Sequence, residues 1–251
     1  MPFPVMIPLG PWKVHPHPLF EGLGLFAGAR LYFFMRSRQR EVAPTEIRWG
    51  VLAGAALGAA IGAHLLHGLN ELPRALSGAW AYSSLLLGKT IVGALLGGWA
   101  GVEFAKRMLG EKKSTGDLFV FPLLLGIAIG RVGCFLTGLS DLTCGLPTRL
   151  PWGVDFGDGI PRHPAQLYEI AALALFAAAV PWLRKRMKEP GDLFRVFLSF
   201  YLALRIGLDA IKPDLPLALH LSGIQWGCVI GLLLLAPDLW RIMLASRPSA
   251  P

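Results

Sequence analysis

Four cations stand inside stretches of the chain that are otherwise apolar: Arg30, Lys89, Arg131 and Arg205. A charge at mid-bilayer costs at least about 2.5 kcal/mol on the insertion scale, so each is expected to face an interior cavity or a partner. Arg30 and Lys89 can equally snorkel along their helices to an interface. Arg131 follows the apolar run from Leu118 to Gly130, and Gly126, Gly130 and Gly133 leave room beside its guanidinium. For Arg205, a buried pair with Asp209 one turn on is the alternative. A planar, always-charged guanidinium grips phosphate through two parallel hydrogen bonds. Two of them in apolar segments therefore point to a phospholipid headgroup. The ionisable set continues with His64 and His67, three apart, then His163, Glu169 and Glu21. A histidine in such a place is a candidate proton acceptor near neutral pH, although a hydrogen-bonded core histidine explains any single one as well.

Long apolar helices must position these groups. The chain is 54% hydrophobic and only 16% charged, with a mean hydropathy of +0.53, outside the range of soluble domains. Crossing a hydrocarbon core about 30 Å thick takes about 20 residues of helix. Such segments are expected at 17–36, 47–69, 83–105, 118–138, 164–183, 194–211 and 222–244. They are continuously apolar and too long for barrel strands. The fold class expected is thus an all-α integral membrane protein of about seven transmembrane helices, forming one domain over residues 1–251.

Most of the 24 Lys and Arg fall on one side of that arrangement. They cluster after the first helix (Arg36, Arg38, Arg40, Arg48), the third (Lys106, Arg107, Lys112, Lys113) and the fifth (Arg184, Lys185, Arg186, Lys188, Arg195), with Arg241 and Arg247 in the tail. The other side holds only Lys13, Arg74, Arg149, Arg162 and Lys212. The positive-inside rule then puts the N-terminus out and the C-terminus in. The net charge of +8 is topology charge, and no nucleic-acid partner is expected. Residues 1–18 lack the pattern of a cleavable signal peptide, so the first helix is expected to stay attached. Cys134, Cys144 and Cys228 have no metal-ligand spacing, and neither a metal nor a disulfide framework is expected. The connection at about 139–162, on the outer side, is long and rich in Gly, Pro and Asp.

Three strings carry a resemblance. Gly126-Ile-Ala-Ile-Gly-Arg131-Val-Gly-Cys134-Phe-Leu-Thr-Gly138, Leu150-Pro-Trp-Gly-Val-Asp-Phe156 and Arg162-His-Pro-Ala-Gln-Leu-Tyr-Glu169 are similar to the signature region of bacterial prolipoprotein diacylglyceryl transferases. Asp117, Tyr201, Arg205 with Asp209, Lys212-Pro-Asp214 and Gln225-Trp226 extend the similarity. The resemblance implies an enzyme of the bacterial cytoplasmic (inner) membrane that needs no cofactor. It would transfer the diacylglyceryl group of phosphatidylglycerol, or a related phospholipid, to the thiol of a lipobox cysteine in a precursor protein, releasing glycerol phosphate. Arg131 and Arg205 would hold the phosphate, and Gln166, Tyr168 and Glu169 would orient the headgroup or support the arginines. Tyr201, Asp209 and Gln225 would complete the lipid site, a basic cavity opening outward.

The chain departs from the family pattern where a base is needed. The family's His-Gly-Gly histidine corresponds to Val92, which accepts no proton. The Asn of its Gly-Arg-x-Gly-Asn is Cys134, and further replacements place His64, His67 and Glu21 where the family has other residues. Either one of those three has taken over as base, or the reaction has changed, with Cys134 acting as its own nucleophile, although a buried cysteine is more often inert packing. A diverged enzyme acting on another phospholipid or acceptor, and a non-catalytic lipid- or precursor-binding membrane protein, remain as alternatives.

Overall fold

The computed structural model describes residues 3–38, 45–77, 88–213 and 215–245. Seven α-helices run through them: α1 (Pro16–Ser37), α2 (Thr45–Leu76), α3 (Ile91–Leu109), α4 (Val120–Thr137), α5 (Ala165–Arg184), α6 (Asp192–Ala210) and α7 (Gly223–Ala245). Short 3-10 turns flank α4 at Gly116–Phe119 and Gly138–Asp141. The chain is helical as expected, and four segments are long and apolar enough to cross a membrane: Ile47–Leu76, Gly116–Asp141, Ala165–Arg184 and Gly223–Ala245. The helices begin and end close to the predicted spans, with two exceptions: the second runs on to Leu76, past 69, and the third is displaced along the chain. The third starts at Ile91 rather than 83, because Thr90 caps it, its Oγ1 accepting from the Gly93 N–H at 3.1 Å. Residues 83–87 of that predicted span, together with Arg40, Asp214 and Arg247, lie outside the described residues.

Outward-facing side chains on these helices are large and apolar. Leu25 and Phe26 of α1, Leu57 and Leu65 of α2, Leu175 of α5 and Leu233 of α7 are all exposed. In water such a surface would drive aggregation; against acyl chains it carries no penalty. The chain is a multi-pass membrane protein.

Two compact units make up the chain, one formed by Met1–Gln39, Thr115–Phe194 and Ala210–Pro213, the other by Arg40–Ser114, Arg195–Asp209 and Asp214–Pro251. In the first, α1 packs along α4 at backbone-to-backbone distance. A side chain on Gly24 would meet the Gly126 carbonyl oxygen at 2.6 Å, and one on Gly28 the Pro122 carbonyl oxygen at 3.0 Å. Helix α5 also packs against α4. Asp117 ties down the start of α6, its carboxylate accepting from the N–H groups of Gly191 (2.8 Å) and Phe194 (2.9 Å). Those are donors that a helix start leaves without intrahelical partners.

The outer connection carries structure of its own. A two-residue hairpin pairs β3 (Val154–Asp155) with β4 (Pro161–Arg162), and Phe156 is buried against Phe3 and Phe135. An N-terminal hairpin, β1 (Ile7–Leu9) with β2 (Trp12–Val14), leads into α1. The Leu146 N–H donates to the Ile211 carbonyl at 2.7 Å, anchoring the connection to the end of α6.

In the second unit, α2 and α3 share a Gly-rich seam. Gly54, Gly58 and Gly62 face Gly101, Gly97 and Gly93, which lets the two backbones touch where lipid gives helices little other reason to associate. Asn70 Oδ1 accepts from the Ile224 N–H at 3.2 Å, joining α2 to the start of α7. A side chain at Gly54 would lie 2.7 Å from both the Gly101 oxygen and the Ala105 Cβ. Gly54→Val is therefore expected to cost about 1–3 kcal/mol by overpacking, seen as a lower unfolding midpoint in detergent, whereas Gly110→Asn, at an open left-handed position, should cost little.

Candidate functional site

Helix α4 carries Arg131 into the interior of the first unit, where the side chain is almost wholly buried. Its Nε lies 2.9 Å from Glu169 Oε2, which α5 supplies one turn from its start and buries as completely. A guanidinium in an apolar surround needs such a counter-charge, because an unpaired buried ion costs several kcal/mol. The glycines about Arg131 act differently from expectation. Gly126 faces Gly24, and Gly133 faces Phe20 and the Pro16 carbonyl, so α1 fills the room they leave; Gly130 alone of the three borders open space.

Further groups join this pair in a continuous chain of contacts. Arg131 Nη1 is 3.7 Å from Cys134 Sγ, one turn on, and Cys134 Sγ lies 3.9 Å from His17 Nδ1 at the start of α1. That same nitrogen pairs with Asp141 in the turn after α4. Thr143 Oγ1 donates to Asp141 Oδ2 at 2.6 Å and accepts from Gln166 Nε2 at 3.0 Å. Gln166 also reaches Cys144 Sγ at 3.5 Å. Although His17, Cys134 and Asp141 have ligand-type atoms within 4.8 Å of one another, the histidine and carboxylate touch directly. That is an ion pair, and two ligands held about 2 Å from a shared metal would stand farther apart.

Tyr168 and His163 form a second group at the loop. The Tyr168 hydroxyl accepts from Trp152 Nε1 at 2.8 Å and lies 3.2 Å from His163 Nδ1. Gln166 and Tyr168 thus brace the outer connection through Thr143, Cys144 and Trp152. These contacts are to the loop, whereas the resemblance has the two residues orienting a headgroup or supporting the arginines. Glu21 is half exposed, with its carboxylate 4.0 Å from His17 Nε2.

In the second unit, Arg205 Nη2 bonds Asp209 Oδ1 at 2.7 Å within α6, both buried. The intrahelical pair read from the sequence is present. Tyr201 is fully buried beside Phe197, and Gln225 links Ile206 O (3.1 Å) to the Ser222 N–H (2.9 Å). His64 is exposed on α2 beside exposed Ile61 and Leu65, and His67 is half-buried against Gly88. Val92 is buried in α3, while Arg30 and Lys89 are exposed.

Sequence reasoning missed His17, Asp141 and Thr143. The signals available were a His-Pro-His-Pro string at the head of the first helix and a lone Asp just past the Arg131 helix. No spacing rule connects residues so far apart.

With this geometry in hand, comparison with known proteins decides the lineage. A family model described as prolipoprotein diacylglyceryl transferase matches residues 4–244. The chain belongs to that family. It is 32% identical to the phosphatidylglycerol–prolipoprotein diacylglyceryl transferase of Nitratidesulfovibrio vulgaris (strain DP4), over 95% of this chain and 93% of that one. It is 34% identical to the protein of the same name from Cupriavidus metallidurans, over 89% and 87%. Over a shorter stretch, 53% of each chain, it is 39% identical to that of Cupriavidus necator. No solved structure matches.

Removing one partner of a buried ion pair costs about 3–5 kcal/mol, whereas replacing both by apolar groups of similar volume is close to neutral. Glu169→Leu should therefore lower the unfolding midpoint in detergent strongly, and Arg131→Met in the same chain should restore most of it. Cys144, whose thiol burial pushes above its usual range, should resist maleimide at pH 7.5 until the protein is denatured.

Proposed function

We propose that this chain transfers the diacylglyceryl group of phosphatidylglycerol to the thiol of a lipobox cysteine in precursor proteins. The single observation that carries the reading is a buried guanidinium, Arg131, paired with Glu169, in a chain that matches the transferase family over residues 4–244. The topology that goes with it is seven spans, N-terminus out and C-terminus in, in the bacterial cytoplasmic membrane, supported by the one-sided distribution of Lys and Arg.

The chemistry follows from what a guanidinium does next to a phosphodiester. Arg131 binds the lipid phosphate, and Glu169 holds the guanidinium plane in place. The acceptor thiolate attacks the glycerol carbon that carries the phosphate. Its sulfur bonds that carbon as the carbon–oxygen bond breaks, and the electron pair leaves on the phosphate oxygen. Charge thus grows on the phosphate in the transition state, where a fixed cation in a water-poor site stabilises it most. Arg205 with Asp209, Tyr201 and Gln225 belong to the same proposal as lipid-binding residues, and His163, Gln166 and Tyr168 as supports of the loop that receives the precursor. That loop exposes Leu142, Leu146, Leu150, Trp152 and Ile160, an apolar lining suited to the apolar residues that precede a lipobox cysteine.

Self-alkylation of Cys134 is disfavoured on chemical grounds. A thioether is a poor leaving group, so a diacylglyceryl group attached there could not be passed on.

Protein in phosphatidylglycerol liposomes, given a lipobox peptide, should produce the diacylglyceryl adduct and one glycerol phosphate per adduct by mass spectrometry, over many turnovers. Arg131→Ala should lower the rate by about 10²–10³-fold, as loss of a preorganised charge-stabilising donor does, and Arg131→Lys should not restore it, since an ammonium cannot reproduce the fork. Lipid binding without adduct would point to the non-catalytic reading, and an adduct only with other headgroups to a diverged substrate.

A further inference from the structure

The chain enters α1 through the β1–β2 hairpin, which plays no part in the proposed transfer. We propose that this hairpin is a finger that lays its apolar tip, Leu9 and Trp12, in the bilayer interface at the start of α1, and so fixes the depth at which the first unit sits in the membrane. The inference goes beyond the transferase reading and stands without it.

Both legs of the finger are tied to the same end of α4. The first is held where the Val5 N–H donates to the Leu136 carbonyl at 2.9 Å, just after Phe3, which packs on Phe135 and Phe156. The second passes through His15, the capping residue of α1, into buried Pro16, and the ion pair of His17 with Asp141 fastens that first turn to the turn after α4. Between these ties the strands pair Ile7 with Val14, Pro8 with Lys13 and Leu9 with Trp12. Side chains alternate along a strand, so Ile7, Leu9, Trp12 and Val14 share one face, and Pro8 and Lys13 the other. The apolar face is half-buried at its base, at Ile7 and Val14. At its tip it is bare: Leu9 is 51% exposed and Trp12 72%.

Lipid is the occupant that fits this tip. The hairpin runs straight into α1, Val14 being followed by His15 and then Pro16, and the lipid-facing side of that helix continues with Leu23, Leu25 and Phe26. Strands of three residues reach only about 10 Å, so the tip either stands out in water or lies over into the headgroup layer. Its side chains decide between the two. Water penalises an exposed Leu–Trp pair, whereas the membrane–water interface is where tryptophan, with an apolar ring and a polar N–H, is enriched. Lys13, exposed on the opposite face, has a stem long enough to bring its ammonium to the headgroup phosphates. Since both legs are tied to α4, a tip held in the interface sets the depth of α4 and, with it, of Arg131.

The test places an environment-sensitive dye, NBD, on Trp12→Cys in vesicles of phosphatidylglycerol and phosphatidylcholine, with Lys13→Cys as the opposite-face comparison and unaltered protein labelled in parallel as background. Both substitutions fall on exposed side chains and leave the ties at Phe3 and Val5 untouched. The dye at position 12 should emit to the blue of its emission in water, lose most of its intensity when the lipids carry a nitroxide near the headgroup end of the acyl chain, and lose little to aqueous iodide. At position 13 iodide should quench more. A second measurement uses the native residue: nitroxide lipid should remove more tryptophan emission from unaltered protein than from Trp12→Phe. Iodide quenching at position 12 as strong as that of the free dye–cysteine adduct overturns the proposal, and so does equal nitroxide quenching of unaltered protein and Trp12→Phe. A blue shift that requires an added lipobox peptide overturns it too, since the tip would then be a precursor-docking surface.

Discussion

A guanidinium and a carboxylate buried together at Arg131 and Glu169 set the terms for the first unit. Burying two charges is expensive, and their attraction offsets the cost only when the geometry is tight. That requirement falls on the helices. Helix α4 brings Arg131 in at the end of a long apolar run, α5 delivers Glu169 within its first turns, and α1 packs closely along α4. The glycines of α4 serve that closure: Gly126 and Gly133 let α1 approach until backbone meets backbone. A polar pair inside a lipid-facing bundle is stable because close packing keeps everything else away from it.

Apolar exteriors and close-packed small residues are two sides of one constraint. Since lipid tails are as apolar as leucine, exposed Leu25, Leu65 or Leu233 gains nothing by turning inward, and specificity of helix pairing must come from shape and hydrogen bonds. The second unit shows both. Gly54, Gly58 and Gly62 against Gly101, Gly97 and Gly93 supply the shape; Thr90 and Asn70 supply the bonds, each satisfying a helix-end donor. Asp117 does the same for α6 in the first unit.

This division explains what could be read from the sequence. Helix positions were legible because crossing a bilayer demands length and hydropathy, properties of consecutive residues. Arg131, Glu169 and the Arg205–Asp209 pair were legible because a charge in an apolar segment is costly enough to signal purpose, and because the last pair sits one turn apart on a single helix. The start of α3 was misjudged by hydropathy, which does not register the Thr90 cap. The partnership of His17 with Asp141 was not legible at all. Both residues lie at helix ends, where polar side chains are ordinary, and only the docking of α1 against α4 brings them together. Gly126 and Gly133, near Arg131, were noticed and given the wrong task for the same reason: spacing reports a missing side chain, not which helix fills the gap.

Cys134 shows how a departure from a family pattern changes the bonding around it. Where the family has an amide, this chain has a sulfur between Arg131 and His17. An amide can donate and accept strong hydrogen bonds at once; a thiol makes weak, long ones at distances that tolerate small displacements. The substitution keeps a polarizable contact to the guanidinium while loosening its directional grip on neighbours. With the sulfur too weak to fix the imidazole, the task of orienting it falls to Asp141, held in turn by Thr143 and Gln166. Thr143 and Gln166 therefore tie the turn after α4 to the start of α5, so that these two stretches are ordered together.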